Sequence, residues 1–315
     1  MTLDATPAEA LPAAARFSDP TREQSGPRGR RPPRLTVGRV GLYAFLVVAA
    51  AFFLLPAVIM ILTSLKTMDE IRQGSIFALP HGFDLSAWIK AWSGACTGLN
   101  CRGISVGFWN SVAITLPSTV LSIGAGAILG YALSFWRVRG ADLLFAILLL
   151  GAFLPYQIFI YPMVRAFSTL GIYNTLGCIV SVHVIFGLPI MTLIFRNFYA
   201  GLPLELFNAA RVDGGGFWRI FWSVMLPMST PILIVAAILQ ITNIWNDFIL
   251  GLVFAGRENL PMTVQLNNVV NSTTGVRAYN LNMAATMLTA AVPLAVYFVS
   301  GRWFVRGIAA GAVKG

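Results

Sequence analysis

The chain has 315 residues, of which 57% are hydrophobic and only 11% charged, with a formal net charge of +10. So few charges exclude an ordinary soluble domain of this length and point to an integral membrane protein. Basic residues beside apolar spans then account for the positive charge without nucleic acid. Three cysteines exclude a disulfide-dense scaffold, and neither His81 nor His183 belongs to a metal-ligating or catalytic constellation.

Residues 1–38 are rich in Ala, Pro, Gly and Arg and lack hydrophobic periodicity, which predicts a disordered cytoplasmic tail. The apolar run 41–62 is longer than a signal-peptide core and has no small-residue cleavage site, so it reads as a retained first span. Five further spans are expected over 108–135, 143–163, 176–195, 231–254 and 282–304, each near or above the ~20 residues a bilayer-crossing helix needs. Together they make a six-span domain over 39–304, followed by a tail over 305–315. Six spans return both termini to one side. Of the 22 Lys and Arg, fifteen fall on that side and seven opposite, which places both termini in the cytoplasm and the long loop 66–107 outside. Gly126 and Gly130 have the four-residue spacing that lets helix backbones approach, with Gly124 adding to the small surface. Pro155 and Pro162 interrupt the third span.

Cys96 and Cys101 flank Thr97 to Asn100 in the external loop. An oxidising compartment predicts a disulfide between them, with Gly98 and Asn100 suited to the turn, and the entropy model gives ~2 kcal/mol for closing about six residues. Two unpaired thiols on a mobile loop are the competing reading, because spacing does not give distance. Cys178 has no evident partner.

The stretch from Leu202 to Pro231 is the polar-faced connection between spans four and five. Helix formers run from Glu205 to Val212, Gly214-Gly215-Gly216 breaks the pattern, a second short pattern runs from Phe217 to Val224, and Pro227 and Pro231 read as stops. Leu206, Ala209, Ala210 and Val212 recur at helical steps, so one face lies on the membrane body and another meets a partner. An ordinary amphipathic loop helix is the alternative. The order Ala209-Ala210, three residues, Gly214, nine residues, Val224, one residue, Leu226-Pro227 resembles the EAA loop of permeases in binding-protein-dependent, ATP-driven importers. That family has Glu before the first Ala, whereas this chain has Asn208, with Glu205 and Asp213 nearby.

The resemblance extends over about residues 40–315. Trp109-Asn110-Ser111, the exit Ala132-Leu133-Ser134-Phe135, Pro155, Pro162, Leu170 to Thr175, Trp245-Asn246-Asp247-Phe248 and the C-terminus from Phe304 to Gly315 look like the carbohydrate branch. They are similar to the second permease subunit of maltose-type and glucose/mannose-type importers. The resemblance implies an all-α membrane protein, a six-transmembrane-helix permease domain of a type I ABC importer in a bacterial or archaeal cytoplasmic (inner) membrane. It implies a heterodimer with a second homologous permease subunit, a cytoplasmic ATPase dimer and an extracytoplasmic sugar-binding protein as partners. Loop 203–227 would couple to the ATPase through Glu205, Asn208, Ala209, Ala210, Asp213, Gly214, Phe217 and Pro227. The segment from Arg306 to Lys314 resembles one that reaches between ATPase subunits.

No GxxxxGK[ST] phosphate loop occurs in the chain. A transport subunit without catalytic residues or a cofactor of its own is expected, with ATP and Mg used by the partner ATPase. Asp247 is the clearest ionisable residue within the spans, and with Asn243, Trp245 and Asn246 it forms a polar and aromatic group suited to sugar hydroxyls and ring faces. The same carboxylate would equally cap or brace neighbouring helices. Tyr156 and Gln157 are further substrate-pathway candidates, although such residues also anchor helix ends. The loop carrying Cys96 and Cys101 looks like an insertion of glucose/mannose-type permeases, which favours a monosaccharide and suggests docking of the binding protein. An ion-coupled secondary carrier is the competing class, expected to show acidic or His relays at mid-membrane.

Overall fold

The computed structural model describes residues 36–97, 100–136, 138–271 and 277–312, with side chains as far as Gly301. Most of the expected tail 1–38, Gly98 of the cysteine loop and the last three residues lie outside the described residues. In chain order the helices are α1 (Val37–Ser64), α2 (Met68–Gln73), α3 (Ser86–Ser93), α4 (Ser105–Phe135), α5 (Ala141–Phe153), α6 (Gln157–Thr169), α7 (Leu176–Ala200) and α8 (Leu204–Val212). They continue with α9 (Phe217–Ile220), a π-helical turn (Phe221–Met225), α10 (Leu226–Met228), α11 (Thr230–Trp245), α12 (Ile249–Phe254), α13 (Met262–Asn271) and α14 (Tyr279–Ala312). Among the described residues four helices are long and apolar enough to cross a membrane, or up to six if each of two bent pairs is one span.

The described residues fall into two units that divide between Leu55 and Pro56. The first contributes the N-terminal part of α1, whose run from Val40 to Leu55 is apolar on every side, as suits a helix in hydrocarbon. In the second, α4 packs along α7. A Cβ added at Gly126 would lie 2.5 Å from Met191 Cβ, and one at Gly130 would lie 2.7 Å from the Arg196 backbone nitrogen. Only glycine admits that approach, and Ser134 Oγ then bridges the pair by donating to Gly130 O at 2.8 Å and Arg196 O at 3.3 Å. Gly124 faces open space.

Three spans differ from expectation. The continuous span expected over 143–163 is two helices, α5 and α6, meeting at 107°. Pro155 lacks an N–H and disfavours the helical conformation at Leu154, which is extended at φ −72°, ψ 139°. The span expected over 231–254 stops at Trp245 and resumes as α12, because the Asp247 carboxylate accepts from Leu250 N at 3.3 Å and Gly251 N at 2.8 Å and so starts a new helix. Pro227 and Pro231 are not stops. Pro227 follows the π-helical turn and Pro231 occupies the first turn of α11, where a missing N–H costs little, while the chain bends by 78° between α10 and α11. Lastly, α14 continues as helix to Ala312 through most of the expected tail 305–315.

In the loop after α1, Thr67 and Glu70 form a capping box at the start of α2. The Glu70 carboxyl is held below its usual range, chiefly by the Thr67 backbone N–H and secondarily by His81, whose Nδ1 lies 3.0 Å from Glu70 Oε1. Cys96 and Cys101 are disulfide-bonded, and Thr97 and Asn100 pair between them through Thr97 N donating to Asn100 O at 2.7 Å. Cys178 is buried.

Candidate coupling surface and polar cavity

Helix α8 ends in a turn that its sequence dictates. Gly214 sits at φ +73°, its N–H donates to Arg211 O at 3.1 Å, and Gly215 N donates to Ala210 O at 2.9 Å. That pair of bonds is the Schellman motif, which reverses the chain and needs a residue tolerant of the left-handed conformation. A Cβ at Gly215 would meet Ala210 O at 2.5 Å, so the second glycine is needed for closeness rather than for φ.

The inward face of the loop is aromatic. Phe207 is buried and stacks on Phe135 with centroids 4.9 Å apart, and also meets Trp136 at 5.8 Å. Phe217 lies 4.9 Å from Tyr131, whose hydroxyl donates to Phe217 O at 3.3 Å, and Phe221 lies 5.6 Å from the same ring. The Arg211 guanidinium lies 4.8 Å over Trp136. The end of α4 is thus a socket that holds α8 and α9. Of the residues singled out in this loop, Glu205, Asn208, Ala209, Asp213, Gly214 and Pro227 are exposed, Ala210 is half-buried, and Phe217 belongs to the socket rather than to the outer surface. Val212, Trp218 and Trp222 are exposed beside them, at 87%, 55% and 59%. The two tryptophans were missed by sequence reasoning, although their four-residue spacing puts them on one helical face.

The second site is a cavity of about 630 Å³. It lies where both broken spans meet α7: Gly151, Ala152, Leu154 and Tyr156 come from the α5–α6 break, and Thr242, Asn243, Asn246 and Asp247 from the end of α11. His183 and Phe186 of α7 and Tyr297 of α14 complete the polar and aromatic lining. His183 Nε2 is 3.9 Å from Asp247 Oδ2. Thr242 Oγ1 is buried without a hydrogen-bond partner among the described residues. Asn243, Asn246, Asp247 and Tyr156 are therefore brought together, whereas two other candidates are not. Trp245 is 2% exposed, donates its indole N–H to Thr289 O at 3.1 Å and packs edge-on against Phe108, so its face is closed to a ligand. Gln157 is exposed at the start of α6 and does not line the cavity. Asp247 has two roles in its geometry, capping α12 with its carboxylate while standing at the cavity wall. The arrangement offers hydroxyl, amide and carboxylate groups beside aromatic faces, which is the recognition chemistry of a polyhydroxylated ligand.

The family described as "Binding-protein-dependent transport system inner membrane component" matches residues 122–312. The chain is 39% identical over 180 residues to a probable ABC transporter permease protein of Pyrococcus horikoshii, across 57% of this chain and 65% of that one. It is 36% identical over 224 residues to the alpha-glucoside transport system permease protein AglG of Rhizobium meliloti, across 69% of this chain and 58% of that one. Each match thus spans less than two thirds of the relative's length. Among solved structures, a chain of a bacterial ABC transporter involved in the import of the acidic polysaccharide alginate aligns with a TM-score of 0.71 at 20% identity, covering 87% of this chain and 100% of that one. The shared fold is the all-α permease fold of type I ABC importers.

Proposed function

The chain belongs to the family of binding-protein-dependent transport system inner membrane components, and we propose that it is the sugar-conducting permease of an ATP-driven importer, working by alternating access. One observation carries the reading: the loop whose spacing matches the family's coupling motif is a helix with a free outer face and an inner face locked in the α4 socket. Such a helix passes a push or pull from a cytoplasmic ATPase dimer into α4 and α7 without bending. Its docking face is made of Glu205, Asn208, Ala209 and Asp213, joined by Val212 and Trp218. A second permease subunit completes the conduit, an extracytoplasmic binding protein delivers the ligand, and the partner ATPase uses ATP and Mg. In this reading both termini lie in the cytoplasm, which the bias of basic residues toward that side supports.

A sugar is supported by the alpha-glucoside relative and by the lining of the 630 Å³ cavity. In this reading Asn243, Asn246, Asp247 and Tyr156 contact ligand hydroxyls, and Trp245 supports them from behind. The likeness of the loop at Cys96 and Cys101 to an insertion of glucose/mannose-type permeases supports a glucose- or mannose-like monosaccharide, and in this reading the loop docks the binding protein. An ion-coupled carrier is not favoured, since the family match is to a binding-protein-dependent system. The test is reconstitution with the ATPase, the second permease and the binding protein, measuring sugar-stimulated ATP hydrolysis over a panel of mono- and oligosaccharides. Stimulation by one sugar class is expected. Ligand-independent hydrolysis across the whole panel would refute it.

A further inference from the structure

Among the described residues the fold buries Lys66 without an acid to match it. Lys66, two residues beyond the end of α1, is 3% exposed. Its backbone is pinned: Asn280 Nδ2 donates to Lys66 O at 3.1 Å, Lys66 N donates to Thr63 O at 3.3 Å, and Asp84 N donates to the adjacent Leu65 O at 3.3 Å. Trp88 Nε1 fixes the preceding turn by donating to Ser64 Oγ at 3.1 Å. The side chain is thus committed to its direction. Lys66 Nζ donates to Ser75 O at 3.3 Å, and among the described residues no carboxylate pairs with it. An ammonium has three donors, and leaving two of them without an acceptor in a buried site is costly.

The same residue lines a cavity of about 310 Å³ with Ile59 and Thr63 of α1, Ile71 of α2, and Tyr279 and Met283 of α14. Its walls are mainly hydrocarbon and none is acidic. The place in the fold matters equally. Here α1 ends and α14 begins, so two apolar helices reach one membrane surface together, and at 28 residues α1 is long enough for its end to stand at headgroup depth. The occupant must join a compact anion to an apolar body. Ser64 to Lys66, with the pinned carbonyls, make the site preformed rather than induced.

We propose that this cavity binds an anionic phospholipid, with the phosphodiester on Lys66 Nζ and the Tyr279 hydroxyl at the same level, and one acyl chain along Ile59 and Met283. A zwitterionic lipid brings the same phosphate, but its cationic head finds no acid among the lining residues, which sets the preference for net negative charge. Repulsion between that cationic head and the Lys66 ammonium, with no acid to offset it, sets the preference at roughly tenfold.

The test is native mass spectrometry of the full-length chain in detergent, titrated with phosphatidylglycerol or phosphatidylcholine of identical acyl chains. The wild type is expected to retain phosphatidylglycerol about tenfold more strongly. Lys66→Met removes the phosphate contact for both lipids and the repulsion of the choline head, so it should weaken phosphatidylglycerol most and bring the ratio to about one, and Lys66→Arg should keep the preference. Melting in the same micelle controls for folding, with phosphatidylglycerol raising the midpoint of wild type but not of Lys66→Met. Should Lys66→Met fail to fold, Ile76→Asp, which sets a carboxylate in the same cavity, is expected to abolish the preference. Equal retention of both lipids by wild type, or an unchanged preference in the folded Lys66→Met and Ile76→Asp variants, would overturn the proposal. So would competition by inorganic phosphate at equal concentration.

Discussion

The socket beneath α8 and the cavity beside α7 are built from opposite materials. In the socket, Tyr131, Phe135, Trp136, Phe207, Phe217 and Phe221 tile one another at centroid distances between 4.9 and 6.3 Å or little more, and position is fixed by shape. In the cavity, position is fixed by where two helices stop, and the polar groups that stand there are only partly used by the protein itself. Under the proposed function the contrast separates two demands. A part that transmits displacement needs every contact satisfied internally, whereas a part that passes a hydrophilic ligand needs groups still free to bond.

The largest expected effect tests the rigid side. Gly130→Leu forces α4 from α7 and should cost about 3 kcal/mol, while Gly124→Leu, which meets open space, should stay within ~0.5 kcal/mol. Thermal unfolding of the solubilised chain compares the two, and equal shifts would contradict the close α4–α7 contact. Phe207→Ala should cost about 2 to 3 kcal/mol and release α8, so transport falls although the protein inserts; Phe207→Leu should recover most of both. Gly214→Leu should cost roughly 1 kcal/mol from the left-handed conformation at φ +73°, with a loss of coupling larger than the loss of stability. Wild-type transport by an assembled Gly214→Leu complex would remove the coupling role from this turn.

Effects on the cavity side should be smaller in stability and larger in ligand response. Asp247→Ala removes the cap of α12 and should cost about 1 kcal/mol, whereas Asp247→Asn keeps an acceptor and most of that energy. If both variants lower sugar-stimulated hydrolysis alike, the carboxylate itself serves the ligand; if only Asp247→Ala does, it serves α12. Thr242→Val should change stability by less than ~0.5 kcal/mol, since its hydroxyl is already unpartnered, yet weaken sugar binding. An unchanged sugar affinity would take Thr242 off the pathway.

The two regions also differed in how far their residues could be read. The helical class, the apolar spans and the close-packing glycines at 126 and 130 follow from composition and spacing, because hydrocarbon and helix geometry leave few options. The turn at Gly214 was equally legible, since three glycines after a helix pattern have few uses. Pro155 was visible as an interruption, but sequence alone does not say whether a proline kinks a helix or ends it; that is decided by what donates to the freed carbonyls. Trp245 shows the other limit. It stands beside Asn246 and Asp247 in sequence, yet helix phase turns its ring toward Phe108 while the break just after it turns its neighbours to the cavity. Lys66 gave no signal, as its burial depends on α14 arriving more than two hundred residues later.

The break at Pro155 has an evolutionary side. Because proline brings no N–H, the carbonyl of Gly151 loses the donor that a continuing helix would supply, and Gly151 stands on the cavity wall. That acceptor belongs to the main chain. Codon changes at position 151 replace what hangs from the backbone and leave the oxygen in place, so under the proposed function drift in side chains can retune which ligand fits while that main-chain acceptor is inherited unaltered.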